Sequence, residues 1–211
     1  MLAPFYNGLW QGVLISLLLF GPAFFKLVNV SMQEGVFKGW WLATGVLISD
    51  LLVVVLLVYG LAGVFENALF QQFYSLVAGI AMLFIGLKAV FNKYKAFLKS
   101  YTERSKGGQS LLSGLLLNLI NPFTFILWFN VVSAISLKYA QDESNASFSL
   151  LINLLGILLT IYLMDILKVY FADFFGKKIR QKMFYILNRY FGGVFIIIGL
   201  VFIYHFITLL N

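Results

Sequence analysis

Apolar positions along the chain fall into six long runs, roughly 8–31, 41–64, 73–91, 110–137, 148–172 and 190–209, separated by shorter polar stretches. A bilayer crossing needs about 20 mostly apolar residues, so the pattern predicts an all-α polytopic membrane protein with six transmembrane helices. Two runs are interrupted by helix-breaking pairs, Gly21-Pro22 in the first and Asn121-Pro122 in the fourth. Proline removes a backbone donor and clashes with the preceding turn, which a membrane tolerates where protein or water satisfies the freed groups. Broken first and fourth helices therefore mark the expected binding site.

Composition strengthens this reading. The 211 residues are 62% hydrophobic and 11% charged, with a mean hydropathy of +0.95, too apolar for a soluble surface. The first run lacks a basic leader and exceeds a signal-peptide core, so an uncleaved span is expected. With no cysteine, disulfides, thiolate chemistry and Cys-based metal sites are excluded, and a single histidine, His205, argues against a metal enzyme. An interfacial or satisfied role suits His205 better than a proton relay. No cofactor is expected.

The net charge of +7 matters through its distribution. Lys26 and Lys38 flank the first connection. Lys88, Lys93, Lys95, Lys99, Arg104 and Lys106 crowd the third, and Lys168, Lys177, Lys178, Arg180, Lys182 and Arg189 the fifth. The connection around Glu66-Asn67 carries no Lys or Arg, and of the alternate set only the fourth has one, Lys138. By the positive-inside rule, connections one, three and five face the cytoplasm and both termini face outward. The basic residues are topological signals with a lipid-surface contribution, and nucleic-acid binding is not expected.

The two halves repeat one order. Phe20-Gly21-Pro22-Ala23-Phe24-Phe25 corresponds to Ile120-Asn121-Pro122-Phe123-Thr124-Phe125, Gly45 through Ser49 to Gly156 through Thr160, and Gly79 through Leu87 to Gly192 through Leu200. Three spans per half is an odd number, so the halves would enter from opposite sides. That predicts two inverted three-helix repeats, residues 1–91 and 110–211, joined by a cytoplasmic linker over 92–109, as in many secondary transporters.

Several residues are candidates for the chemistry. Asp50 lies about ten residues beyond Trp40-Trp41, hence about 15 Å into the membrane at helical rise. An acid at that depth is costly and should face a cavity or a partner; proton coupling is one use, locking helices together another. Asp165 is a second proton-coupling candidate, although Lys168 three residues on offers an intrahelical ion pair instead. Lys26 follows Pro22 by one turn and either snorkels to the interface or meets an acid and a substrate carboxylate. Asn118, Asn121 and Thr124, with Ser113 and Asn130, make the fourth span unusually polar. Gly21, Pro22, Lys26, Asn118, Asn121, Pro122 and Thr124 form the expected substrate site, because half-helix ends offer free N–H groups to a carboxylate and free C=O groups to an ammonium. A zwitterionic amino acid fits both. Gly8, Gly12, Gly35 and Gly39, with the later glycines, have the small-residue spacing of close helix contacts.

At Gly21-Pro22-Ala23-Phe24-Phe25-Lys26, followed by Gly35, Gly39, Gly45 and Asp50, and again at Asn118-Leu119-Ile120-Asn121-Pro122, the sequence resembles the lysine exporter (LysE/RhtB-type) translocator family. The resemblance spans nearly the whole chain in length, span count and motif order. It implies an exporter of amino acids or derivatives in the bacterial cytoplasmic membrane, driven by the proton gradient, with a homodimer suggested by analogy. Ala23 and Lys26 depart from the common pattern, in which many relatives follow Gly-Pro with a polar residue. The alternatives are a metal-ion or other small-solute exporter of related fold, which would need oxygen ligands clustered at the breaks, an intramembrane enzyme, and a structural membrane protein.

Overall fold

The computed structural model describes residues 2–18, 22–61, 68–93, 107–140, 145–176 and 181–208. Gly21, Glu66-Asn67, Lys95, Lys99, Arg104, Lys106, Lys177, Lys178 and Arg180 lie outside the described residues. Those described are helical nearly throughout, with no strand among them.

The first apolar run forms two helices, α1 (Ala3–Leu18) and α2 (Pro22–Glu34). Pro22 opens α2, where its missing N–H costs nothing and its fixed φ suits the first helical position. One residue, Gly35, joins α2 to α3 (Val36–Leu56). Its φ of 85° and ψ of 173° lie in a region that only glycine enters cheaply, so the tight joint follows from a missing side chain. A π-helical turn, Leu57–Leu61, continues α3. Then come α4 (Ala68–Phe91), α5 (Gly107–Leu119), α6 (Pro122–Tyr139), α7 (Ala146–Gly176) and α8 (Gln181–Thr208). Gly107 and Gly108, expected in the polar connection, open α5.

Val36–Tyr59, Ala146–Phe175 and Asn188–Thr208 are each long and apolar enough to cross a bilayer, and Ser75–Phe91 is a shorter apolar helix. Gly108–Leu119 and Phe123–Tyr139 are together long and apolar enough for a broken span or a re-entrant pair, bent by 67° at the Asn121-Pro122 break. The chain is a multi-pass membrane protein. Phe73, Phe84, Ile197, Val201 and Tyr204 stand exposed on α4 and α8, as a lipid-facing surface requires.

Helices pair through glycines rather than large side chains, because lipid supplies no hydrophobic drive between them and close approach must come from small residues. Along α1 and α7, a Cβ on Gly8 would run into the Asn153 carbonyl, and one on Gly156 would meet the Phe5 carbonyl. Along α5 and α3, a Cβ on Gly114 would run into the Leu42 carbonyl and one on Gly45 into the Leu111 carbonyl. Along α4 and α8, Gly79 lies against the Gly199 carbonyl and Gly86 against the Gly192 carbonyl. Two buried apolar clusters flank the middle of the molecule. One gathers Val53, Val54, Leu57, Trp128, Val132, Ile135, Leu154, Ile157 and Ile161. The other gathers Ala23, Leu27, Val30, Leu42, Ala43, Val46 and Val169.

Candidate functional site

Between these clusters lies a cavity of about 40 Å³ with mixed polar and apolar walls, lined from α2 by Ala23, Phe24 and Leu27, from α3 by Val46 and Asp50, from α5 and the break by Asn118 and Asn121, from α6 by Thr124 and Leu127, and from α7 by Ile161 and Asp165. That volume holds a few water molecules and is too small for an amino acid. Both broken runs reach it, because α2 and α6 begin there.

The second break is built by local chemistry. Asn121 has extended backbone (φ −76°, ψ 108°), and its side chain accepts a hydrogen bond from the Phe123 N–H at 3.2 Å. Asparagine at the cap followed by proline at the first helical position is a strong start signal, so Asn-Pro begins α6 as much as it ends α5. Asn121 is 3% exposed and lines the cavity.

Asp50 is 5% exposed, about 14 residues after the start of α3, hence about 21 Å along the helix. Its Oδ1 accepts from Asn118 Nδ2 and from Trp128 Nε1, both at 2.8 Å. The Asn118 amide also reaches Ser49 Oγ at 3.2 Å and the Val46 carbonyl at 3.5 Å, while its own oxygen accepts from Thr124 Oγ1 at 2.9 Å. A buried carboxylate is tolerable only with such donors, and every donor here is neutral. Among the described residues, Oδ2 receives no hydrogen bond. Tertiary structure thus joins α3, α5 and α6 through one carboxylate that faces a cavity.

Asp165 lines the same cavity, about 11 residues before the end of α7. It also makes the ion pair expected of it, with Lys168 Nζ 2.9 Å from Oδ1. Lys26 is half-buried and is not among the cavity-lining residues; α2 presents Ala23, Phe24 and Leu27 instead. Pro22 and Pro122 open α2 and α6, and Gly21 lies outside the described residues. Asn130 is exposed and donates to the Ile126 carbonyl one turn back, and His205 is exposed near the end of α8. Trp128, Ser49 and Ser16 were not among the expected site residues. Trp128 follows Thr124 by one turn on the same face, and a buried indole N–H needs an acceptor, a signal the sequence does carry.

Among the described residues no three His, Cys, Asp or Glu side chains cluster to hold a metal ion. Residues 14–205 match the family model described as LysE type translocator. The chain is 22% identical over 185 residues to the "Putative amino acid efflux protein YcgF" of Bacillus subtilis (strain 168), an alignment covering 87% of this chain and 88% of that protein. No solved structure matches the chain. A buried acid beside two helix starts, in a multi-pass membrane chain whose match covers nearly its full length, agrees with a transporter: the chain belongs to the LysE type translocator family.

Proposed function

We propose that this chain exports amino acids or small zwitterionic derivatives across the bacterial cytoplasmic membrane in exchange for protons, with Asp50 as the shared site of proton and substrate ammonium. The observation carrying this reading is the Asp50 carboxylate, buried among neutral donors and lining a cavity between the starts of α2 and α6. A carboxylate without a basic partner among the described residues binds either a proton or an organic cation, and the two compete. Competition at one group is the simplest form of antiport: the solute leaves as the proton arrives. The N-terminal ends of α2 and α6 carry partial positive charge and suit the solute's carboxylate, with Asn121 beside it. The amino-acid class is drawn from the printed name of the B. subtilis relative.

Alternating access would come from two inverted three-helix repeats, residues 1–91 and 110–211, with both termini outside. The glycine contacts support this reading because they interchange between halves. Gly8 meets the Asn153 carbonyl as Gly114 meets that of Leu42, and Gly156 meets Phe5 as Gly45 meets Leu111. By the same correspondence Gly12, against Thr160 and the Ile157 carbonyl, stands where Asn118 meets Ser49 and the Val46 carbonyl. The contracted cavity would then be one stage of a cycle in which α2 and α6 move to admit solute.

Proton-gradient-driven flux of labelled amino acids in proteoliposomes tests the proposal. Wild type is expected to move at least one amino acid in a gradient-dependent way, and Asp50→Asn to lose that dependence while remaining folded. Gradient-driven transport that survives Asp50→Asn would place the coupling elsewhere.

A further inference from the structure

Asp50 and Asp165 line the same cavity but are partnered differently. Asp50 meets only neutral donors, Asn118 and Trp128. Asp165 meets Lys168, whose Nζ also donates to the Ser16 carbonyl at 3.1 Å and to Ser16 Oγ at 2.9 Å. The same Nζ lies 5.7 Å from the centre of the Phe24 ring, on the other side of the first break. An ammonium has three donors, and a carboxylate, a backbone carbonyl and a hydroxyl take all three. The Ser16 carbonyl and hydroxyl lie in the last described turn of α1. The Phe24 ring adds a face that attracts cations.

An ordinary ion pair between neighbours on one helix would require neither Ser16 nor Phe24. Lys168 and Asp165 are also mostly withdrawn from solvent, with side chains 18% and 12% exposed. Three elements of recognition from two further helices join Asp165 around one nitrogen, the set that would receive the ammonium group of a solute.

We infer that Asp165, Ser16 and Phe24 form an ammonium subsite whose resident occupant is Lys168, and that this tethered cation restricts the protein to solutes with one cationic group, excluding dibasic amino acids. The specificity half rests on the exporter reading; the subsite half does not. With Lys168 in place, Asp165 is already neutralised and only Asp50 can receive a cation from the solute. A second cationic group, as on lysine or arginine, would have to displace Lys168.

Removing the tether tests the subsite. Lys168→Ala removes a length of side chain that n-propylammonium reproduces. Thermal unfolding of the purified full chain is measured with increasing n-propylammonium. The alanine variant is expected to gain about 3 °C at tenfold excess over the dissociation constant, saturably, while wild type and Asp165→Asn/Lys168→Ala gain nothing. Where the alanine variant does not fold, Lys168→Ser gives the same readout. No gain in a folded variant, or an equal gain in wild type, overturns the subsite.

Competing flux of leucine and lysine in proteoliposomes tests specificity. Wild type is expected to prefer leucine by about tenfold or more, and Lys168→Ala to lose most of that preference. Equal transport of both by wild type overturns the specificity claim. A wild type that moves no amino acid overturns the exporter reading and the specificity claim together, and the propylammonium result then decides the subsite alone.

Discussion

At the scale of the residue, the site turns on how neutral side chains hydrogen-bond one buried carboxylate. Asp50 takes two short hydrogen bonds on one oxygen, from an amide and an indole. Replacing Trp128 by phenylalanine keeps most of the ring and deletes the N–H. A hydrogen bond to a charged group contributes about 1.5 to 3 kcal/mol, so coupled flux is expected to fall by about tenfold or more with the fold intact. An unchanged rate in Trp128→Phe proteoliposomes would show that the indole only packs. Asp50 was legible in the sequence because an acid inside an apolar run has no cheap explanation. Trp128 is less legible, because an aromatic residue in such a run reads first as packing surface. Its partner is 78 positions away. The double character of Asp165, cavity wall and ion-pair partner, was likewise open until Ser16 and Phe24 were seen around Lys168.

At the scale of the element, the two breaks resemble each other in motif and differ in placement. Past the matched contacts of Gly8 and Gly114, Pro22 opens α2 14 residues on and Pro122 opens α6 8 residues on, so the first break comes more than one turn later. The acids follow their breaks. Asp50 faces Asn118 next to the end of α5, and Asp165, one turn beyond Ile161, is joined to Ser16 of α1 through Lys168. Loss of the cap in Asn121→Ala is expected to cost about 1 kcal/mol of stability, read as a lower melting temperature. Gly35→Ala should destabilise too, because φ of 85° is unfavourable for any residue with a Cβ; unchanged melting would mean that the α2–α3 joint relaxes freely. In Gly114→Leu the side chain would meet the Leu42 backbone, which cannot yield as a side chain can. The helix would be pushed away from α3, carrying Asn118 from Asp50, and both stability and flux are expected to fall.

At the scale of the whole molecule, orientation remains an expectation from charge and is directly measurable. The chain has no cysteine, so single cysteines report cleanly. Lys138→Cys is expected to react with a membrane-impermeant maleimide in intact cells, and Lys93→Cys only after permeabilisation; both positions are exposed. The reverse pattern would invert the assigned topology and, with it, the direction of transport. The pairing of α1 with α7 and α5 with α3 has a mechanical consequence: each broken run is tied to a helix of the opposite half.

What the sequence determined by itself was the class of molecule. Apolar runs of bilayer length can be satisfied only in a membrane, and proline inside them leaves backbone groups that need other partners. The acid in the second run and the Asn-Pro start of α6 were visible for the same reason, since each is a local violation of the apolar pattern. Only tertiary structure decided the partners. Whether Lys168 meets Asp165 alone or also the end of α1, whether Lys26 enters the cavity, and which donors solvate Asp50 depend on helix pairs set by glycine contacts between residues far apart in sequence. Periodicity records which positions are apolar. It carries no distance between helices, and the chemistry of this site is made of such distances.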